Sequence, residues 1–399
     1  IFDPNKQLDN AYKLKASTGN QEINVFADNF KFTQTLKFNL GFDFKALGID
    51  WTAEAIYSKT LNDIYYKNLA IEETGRTFGQ ETGYTWDNRP MFEQTTKGTP
   101  YAYVYGLYNT NKGYTVNLSL KAEKHFNFGL DLMASYTWTR SMSVNSGTSS
   151  VAGSNWMFNT TYRNPNDPEL GFSAYNVPHR IQASAYYHIG YGARKQWQTT
   201  VGVIYQGRSG SPYVIEMYGD MNNDGARGND IMFIPTDAQI DQMHFAPTTV
   251  NNSKNTYPLI TKVVGTNYSG NLTEDQQRAL LKQWIADDSY MSKHRGEYFK
   301  RYADNLAFEH HFDVHFAQKY SFKVGGQINS LELSFDIINI GNLLNKDWGH
   351  TYGDGFGRYF SPFNYEGDGL FKFDGTHVNR DYDSYNSRWR GQIGLRYTF

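Results

Sequence analysis

The chain has 399 residues, a net charge of −2 and no cysteine. So small a net charge gives no reason to expect nucleic acid as a partner, and the absence of cysteine excludes disulfides and thiolate metal sites. Aromatic residues make up 17% of the chain, but mean hydropathy is −0.64 and no apolar run approaches the length of a membrane helix. A helical membrane protein is therefore excluded. A membrane β-barrel is not, because its strands are apolar only at every second residue.

Segments in which apolar and polar residues alternate recur along the chain. In the first of them Leu36 and Phe38 fall on one face, with Lys37 and Asn39 on the other, and the last of them ends at Phe399. This period of two predicts strands with one apolar and one polar face. Nine strands are predicted, beginning near Thr33, Asp50, Tyr114, Phe128, His179, Gln196, Leu306, Leu331 and Ser384.

One stretch, LTEDQQRALLKQWIADD, is typical of a helix. Thr273 and Gln276 fit a capping box at its start. One apolar stripe follows, formed by Leu280, Leu281, Trp284 and Ile285. We interpret the helix as a packed lid inside a long loop, because long loops often carry small structure of their own.

The connections between the predicted strands decide between a soluble sandwich and a barrel. Short turns are predicted at Lys45–Ile49, Phe126–Asn127, Tyr191–Lys195 and Lys323–Asn329, and long loops at Ala70–Tyr101, Ser141–Pro178, Gly219–Asn305 and Glu366–Asp383. Short and long connections alternate, which is typical of an outer-membrane barrel whose short turns face the periplasm. Aromatic residues suited to the membrane interfaces are Trp51, Trp138, Trp197, Tyr205 and Trp389. The predicted fold class is therefore all-β, a transmembrane antiparallel β-barrel with long extracellular loops.

Several stretches resemble the C-terminal half of SusC-type (SusC/RagA-like) TonB-dependent outer-membrane transporters. They are TLNDIYYKNL, NVPHRIQASAYY, GRSGSPY, GDMNNDGARGNDIMFIP, YMSKHRGEYFKR, DIINIGNLLNKDWG and GLRYTF, in order between about residue 33 and residue 399. The resemblance implies a barrel of about 22 strands filled by an N-terminal plug. It also implies a SusD-like surface lipoprotein as a lid, energy from TonB–ExbB–ExbD, and an oligosaccharide or peptide as cargo.

The strand count predicts that residues 1–399 form only the C-terminal part of such a barrel. Nine is odd, whereas single-chain bacterial barrels have an even number of strands. If the short turns are periplasmic, the strand from Thr33 to Phe44 runs toward the periplasm, and Ile1–Phe32 is expected on the extracellular side. The remaining strands, together with the plug, are expected from an N-terminal part of the same transporter.

The stretch DMNNDGARGND resembles a calcium-binding loop. Asp220, Asn222 and Asp224 have the spacing of the first ligands in an EF-hand, Gly225 permits the bend, and Asp230 falls near the closing position. Position 231, where the last acidic ligand would fall, is isoleucine. The alternative is a loop held by its own Asp, Asn and Gly turns without an ion. No other cofactor is expected.

Other polar residues fit either a binding or catalytic site or the polar lining that any water-filled barrel needs. In EHHFDVHF, strand geometry places His311, Asp313 and His315 toward the lumen and His310 toward lipid. Polar residues that could contact cargo are Glu54, Asp131, Arg180, Gln182, Glu332, Asp336, Arg388, Arg390 and Arg396. The aromatic stretches GYTWDNRPMF and GRYFSPFNY could stack on sugars or pack against a lipoprotein.

Three functions remain open from the sequence. TonB-energised import of a bulky nutrient, as the SusC-like part of a SusCD-type complex, agrees with all the motifs. A passive porin or adhesin would need no plug. A barrel enzyme would depend on His311 or Asp313, but neither convergent geometry nor a pocket is visible in the sequence, so we expect no enzymatic activity.

Overall fold

The computed structural model describes residues 21–99, 101–147, 149–353, 359–378 and 383–399. Strands dominate it. Numbered in chain order they are β1 (Gln21–Phe26), β2 (Gln34–Ala46), β3 (Ile49–Asn68), β4 (Ile71–Thr77), β5 (Pro90–Gln94), β6 (Tyr101–Thr110), β7 (Tyr114–His125), β8 (Leu130–Ser143), β9 (Gly171–Phe172), β10 (His179–Tyr191), β11 (Trp197–Arg208), β12 (Pro212–Tyr218), β13 (Phe233–Ile234), β14 (His244–Phe245), β15 (Thr248–Asn251), β16 (Ser269–Leu272), β17 (Glu297–Tyr298), β18 (Asp304–Asn305), β19 (Glu309–Val324), β20 (Gln327–Ile338), β21 (Tyr359–Gly367), β22 (Leu370–Lys372) and β23 (Arg390–Thr398).

The helices all lie in connections. They are α1 (Phe78–Thr82), α2 (Ala152–Met157), α3 (Asp237–Ile240), α4 (Pro258–Val263), α5 (Glu274–Asp287) and α6 (Ile340–Leu344), with a 3₁₀ turn at Met291–Lys293. Within the described ranges, no helix combines the length and the apolar composition that crossing a membrane requires.

Nine strands form one continuous antiparallel wall. Neighbouring strands follow the order β2, β3, β7, β8, β10, β11, β19, β20 and β23. The pairing of β10 with β11, for example, runs without interruption from Arg180 opposite Arg208 to Tyr191 opposite Trp197. In the described part of the chain, the outer edges of β2 and β23 pair neither with each other nor with another strand. The predicted all-β architecture is confirmed.

Short and long connections alternate along the wall, as predicted. Leu47 and Gly48 join β2 to β3 with φ angles of 55° and 67°, and Gly325 and Gly326 join β19 to β20 with φ angles of 57° and 91°. Positive φ at both central residues is the geometry of the tight type I′ hairpin turn. All the short turns lie at one end of the wall, so all the long loops lie at the other.

Two predicted boundaries are wrong. Strand β19 begins at Glu309 and not near Leu306, and the long connection before β23 begins at Asn339, well before the predicted Glu366. Asn339 has φ 56° and ψ 53°, a left-handed conformation that ends β20 and starts α6. The short helix α6 continues the apolar sequence of the strand, which is why the alternation did not show the boundary.

The nine predicted strands are those of the wall; the strands outside it, β6 among them, were not predicted. Strand β6 pairs with Asp63–Asn68 of β3 on the long-loop side of β7, and β1 pairs with β6 in parallel. Residues Tyr101–Tyr108 are apolar or aromatic on both faces, so they lack the alternation that predicts a wall strand. The predicted extracellular stretch Ile1–Phe32 lies largely outside the described residues, and its described part, β1, is on the long-loop side.

The wall has one apolar and one polar face. On the apolar face large side chains are left exposed, for example Phe42 at 61%, Ile393 at 74% and Leu395 at 72%. Aromatic residues mark both ends of this face, with Trp51 next to a short turn and Trp138 near a long loop. An apolar surface that extends over a whole face of nine strands requires a non-aqueous environment.

The long loops pack together into one body with its own core. Its five-stranded sheet has the order β14, β22, β21, β12 and β18, and α5 packs beside it. The predicted helix is confirmed, including the capping box between Thr273 and Gln276, with hydrogen bonds of 3.2 and 2.8 Å. Its predicted apolar stripe is buried. We call this assembly, built from the connections β3–β7, β8–β10, β11–β19 and β20–β23, the loop body.

A glycine on the polar face allows a close contact that larger residues would break. A Cβ built on Gly202 would overlap the ring of Tyr186, which lies across the neighbouring strand and reaches His315. We expect Gly202→Ala to destabilise the complete protein by about 1–3 kcal/mol, as overpacking does. The measurement is urea unfolding in detergent micelles, followed by tryptophan fluorescence.

Gly190→Ala is the matched control. Gly190, in the neighbouring strand β10, also lies on the polar face of the wall, but a Cβ built there has no neighbour within 4 Å. Equal unfolding midpoints for the two variants would contradict the prediction.

Candidate functional site

A buried ionic cluster lies at the centre of the loop body. The guanidinium of Arg89 is fully buried and contacts Asp87 at 2.9 Å and Asp230 at 2.9 Å. Its Nη2 also donates to the carbonyl oxygen of Ile231 at 3.0 Å, and the hydroxyl of Tyr298 donates to Asp87 at 2.7 Å. Because these residues come from different loops, the cluster joins the β3–β7 connection to two parts of the β11–β19 connection.

The predicted calcium loop lies against this cluster. The carboxylate of Asp220 accepts hydrogen bonds from the backbone N–H groups of Asp224 and Gly225 at 3.1 and 2.9 Å. The amide oxygen of Asn222 also accepts from Asp224 N, at 3.1 Å. Asp230 accepts from the backbone N–H of Met221 at 3.0 Å, in addition to its bond from Arg89. The structure thus brings together all four predicted ligand residues.

Asp224 is as deeply buried as Asp230. It is 1% exposed and accepts from the backbone N–H of Ala226 at 2.7 Å and from the side-chain amide of Asn229 at 2.7 Å. The amide oxygen of Asn229 is buried and has no hydrogen-bond partner in the described residues. This unsatisfied acceptor, beside a buried carboxylate, is the kind of group that a cation would satisfy.

Burial raises the proton affinity of these acids. It raises the pKa of Asp220, and it raises the pKa of Asp224 well above its ordinary value with the help of the nearby Asp230 and Asp220 charges. Burial also raises the pKa of Asp230 to about 6, although Arg89 opposes the shift. One buried guanidinium therefore does not compensate all the carboxylates around it.

The hydrogen bonds around Asp220, Asn222 and Asp224 match the alternative that the sequence left open, a loop held by its own turns. Among the described residues, no three His, Asp or Glu side chains are arranged so that they could hold a metal ion. Calcium binding would require these oxygens to exchange backbone N–H donors for the ion. The calcium site stays a prediction.

A second buried arginine attaches the loop body to the wall. The Nη1 atom of Arg301 donates to the carbonyl of Val144 at 2.6 Å and to the side chain of Asn159 at 3.1 Å. Its Nη2 atom donates to the carbonyl of Ser143, the last residue of β8. Burial lowers the pKa of Arg301. The acceptors of Arg301 are mainly carbonyl oxygens at the end of β8. The arginine therefore satisfies these backbone groups where the strand enters the long loops.

The histidines and aspartate of β19 do not converge on one point. As predicted, His310 lies on the apolar face, where it contacts the hydroxyl of Tyr205 at 2.8 Å. On the polar face each group has a different partner. His311 contacts Thr351 at 3.2 Å, Asp313 accepts from Asn339 N at 2.7 Å, and His315 contacts Asp336 at 2.6 Å. The geometry that an enzymatic or zinc site needs is therefore not formed by these three groups.

The other polar residues expected to face cargo are spread over the whole polar face. Glu54 accepts from Asn39 at 3.0 Å, and Asp131 contacts His125 at 2.8 Å near the short turns. Arg180 lies at the opposite end of the wall. No single site therefore unites the set.

Several residues that hold the loops and the wall together were not predicted from the sequence. They are Asp87, Arg89, Tyr298, Arg301 and the Arg208–Glu309 pair. Four of them fall in two stretches rich in charged and aromatic residues, GYTWDNRPMF and YMSKHRGEYFKR, but no local spacing indicates their partners.

The aromatic stretch GYTWDNRPMF packs inward. Tyr84 is buried, and its hydroxyl donates to the carbonyl of Gly369 at 2.8 Å. Trp86 packs against the core of the loop body, and Phe92 is buried in a smaller apolar cluster. This stretch therefore stabilises the loops. Most of the first part of GRYFSPFNY lies outside the described residues and side chains, while Phe363 in its second part is buried.

Comparison with known protein families gives one match. A family model described as outer membrane beta barrel domain matches residues 3–345. No curated protein matches the chain. The family model covers β2 to β20 of the wall and nearly all the residues of the loop body up to α6.

Removing the buried guanidinium should loosen the loop body. Arg89→Met leaves Asp87 and Asp230 buried without their cation, and breaking a buried pair in this way costs roughly 3–5 kcal/mol. We expect faster hydrogen–deuterium exchange at Ile231 and in β5, with the nine-strand wall unchanged.

Arg76→Met is the control, because the Arg76 side chain is 66% exposed where it pairs with Glu81, and surface pairs contribute about 0–1 kcal/mol. If the two variants exchange at the same rate in the loop body, the role given to Arg89 is wrong.

The raised pKa values predict that the calcium loop is more stable in acid. A carboxyl whose pKa is higher in the folded state contributes stability that is complete below its unfolded pKa and is lost as the pH rises through the folded value, about 6 for Asp230. Exchange of the amides of Met221–Ile231, corrected for intrinsic rates, should therefore be slower at about pH 5 than at about pH 7.5.

Calcium should restore slow exchange at the higher pH if the loop binds it, and Asp224→Asn should remove that effect. Calcium without effect, together with the expected pH dependence, would leave the electrostatic description intact and make the calcium prediction wrong. Exchange independent of pH would contradict the electrostatic description itself.

Proposed function

The chain belongs to the outer membrane beta barrel domain family, and from that premise we propose that it is the C-terminal part of a TonB-dependent, SusC-like importer of bulky nutrients. It is an integral β-barrel protein of the outer membrane of a Gram-negative cell. The apolar face of the wall then contacts lipid, the polar face lines the lumen, and the loop body is extracellular. The cargo in this proposal is an oligosaccharide or a peptide.

The observation that carries the proposal is where the motif residues lie. Asp230 comes from GDMNNDGARGND, while Tyr298 and Arg301 come from YMSKHRGEYFKR, two of the stretches that resemble SusC-type transporters. In the structure these residues form the contacts that hold the loop body together and attach it to β8. These two stretches thus contribute to a single structural feature, a packed assembly at the long-loop end of the nine-strand wall.

The unpaired edges of the wall support a barrel larger than nine strands. In hydrocarbon every backbone N–H and C=O group must be paired, so β2 and β23 need partner strands. A closed barrel of about 22 strands would accommodate a plug in its lumen. We propose that the further strands and the plug belong to an N-terminal part of the same transporter.

The loop body also supports a protein partner outside the cell. A passive pore needs no compact assembly of this size over its mouth, whereas a transporter that closes over its cargo does. We propose a SusD-like surface lipoprotein as that partner and TonB–ExbB–ExbD as the energy source. The family supports a transporter or porin without enzymatic activity, and the β19 histidines and Asp313 form no convergent site.

Energised uptake is tested in cells that express the complete transporter. Cells should accumulate a fluorescent oligosaccharide or peptide only while TonB is present and the proton-motive force is intact, and they should lose uptake when the proposed SusD-like lipoprotein is deleted. Surface labelling and heat-modifiable migration show that the barrel is still assembled in each strain.

Uptake that continues without TonB would favour the second candidate, a passive porin. Surface attachment without any uptake would favour an adhesin.

A further inference from the structure

Three strands of the wall form a cavity on the polar face, next to the long loops. It has a volume of about 480 Å³. Its lining includes Arg180, Gln182, Gln206, Arg208, His311 and Thr351. The first five come from β10, β11 and β19, and Thr351 comes from the connection between β20 and β23.

The strand register sorts the lining into two rows. Arg180 lies opposite Arg208, and Arg208 lies opposite Glu309. In the row below, Gln182 lies opposite Gln206, and Gln206 lies opposite His311. Directly opposite residues in an antiparallel sheet are close neighbours, so the two arginines point from adjacent strands into the same space.

Only one of the two arginines has a carboxylate partner. Arg208 donates to Glu309 at 2.7 Å, and Glu309 is buried. Arg180 is exposed and pairs with no carboxylate in the described part of the chain. The next acid along the wall, Asp313, accepts from the backbone of Asn339. The cavity therefore has a local excess of positive charge.

The side-chain amides of Gln182 and Gln206, in the row next to the arginines, are free to bind a ligand. In the described ranges, neither Gln182 nor Gln206 makes a side-chain hydrogen bond. His311 contacts Thr351 at 3.2 Å and lies 3.8 Å from Glu309. A ligand would thus meet an arginine without a counter-ion, two neutral amides and the edge of a fixed cluster.

We propose that this cavity is a subsite for a carboxylate group on the cargo. The planar guanidinium of Arg180 binds a carboxylate through two parallel hydrogen bonds, and Gln182 and Gln206 bind the hydroxyl or carbonyl oxygens beside it. The inference rests on the proposed import function and narrows its substrate class to acidic cargo. The position beside the loops, where cargo enters, favours cargo over a protein segment deeper in the lumen.

The test is binding to the complete purified transporter. One arm uses oligogalacturonides and their methyl esters, and the other a short poly-glutamate peptide and its glutamine counterpart. The acid of at least one pair should bind more tightly than its neutral form, and added salt should reduce the difference. The arm in which this happens identifies the source of the carboxylate.

Arg180→Gln should weaken binding of the acid by about ten- to a hundredfold, the range that charge-assisted hydrogen bonds give. It should leave the neutral form unaffected. Arg180→Lys keeps the charge without the planar fork and should fall between the two. Arg194→Gln is the matched control, because Arg194 lies in the turn at the other end of β10 and should bind like the unchanged protein.

Two outcomes would overturn the subsite. Equal binding of acid and neutral forms, or unchanged binding by Arg180→Gln, shows that no carboxylate is recognised there. A loss of thermal stability in Arg180→Gln without a change in ligand affinity assigns Arg180 to an acidic protein segment inside the barrel. If TonB-dependent uptake of neutral cargo persists in these cases, the import function stands and only the subsite fails.

Discussion

The structure depends on one constraint, that a backbone in contact with hydrocarbon must pair all its N–H and C=O groups. The nine-strand wall satisfies it with an uninterrupted antiparallel ladder, and the exposed Phe42, Ile393 and Leu395 show which face meets the lipid. Since a slip of one residue would turn the polar face toward lipid, the register is fixed. The polar and charged side chains that could bind a ligand are therefore found on the polar face of the wall or in the loops.

The loop body follows different rules, because it is surrounded by water and builds a core of its own. There the buried Arg89 joins segments that are far apart in the chain, and the carboxylates around it outnumber it. A buried charge of this kind adds little net stability, but it penalises any arrangement of the loops that leaves it unpaired. It therefore selects one way of packing the β3–β7 connection against the β11–β19 connection.

The sequence predicted the features that depend on neighbouring residues, but not those that depend on contacts between distant parts of the chain. The wall strands and α5 were predictable because alternation and a capping box are written in neighbouring residues. Strand β6 was not, since Tyr101–Tyr108 is apolar or aromatic on both faces. The same holds for the ionic cluster, because Arg89 and Asp230 are 141 positions apart and only the folded loops bring them together. The four residues of the predicted calcium loop were found as a set because they are close in sequence.

The two regions meet at Glu309. This buried carboxylate accepts from Arg208 in the wall at 2.7 Å and from the backbone N–H of Tyr352 in a loop at 3.3 Å. Because Glu309 fixes Arg208 from one side, the neighbouring cavity keeps its shape without a ligand, and a carboxylate entering beside Arg180 would need to reorganise little. The same residue holds the β20–β23 connection over the cavity. The nine-strand wall and the loop body are therefore joined by the buried carboxylate of Glu309. It lies beside the cavity, where the proposed cargo would pass from the loops into the lumen.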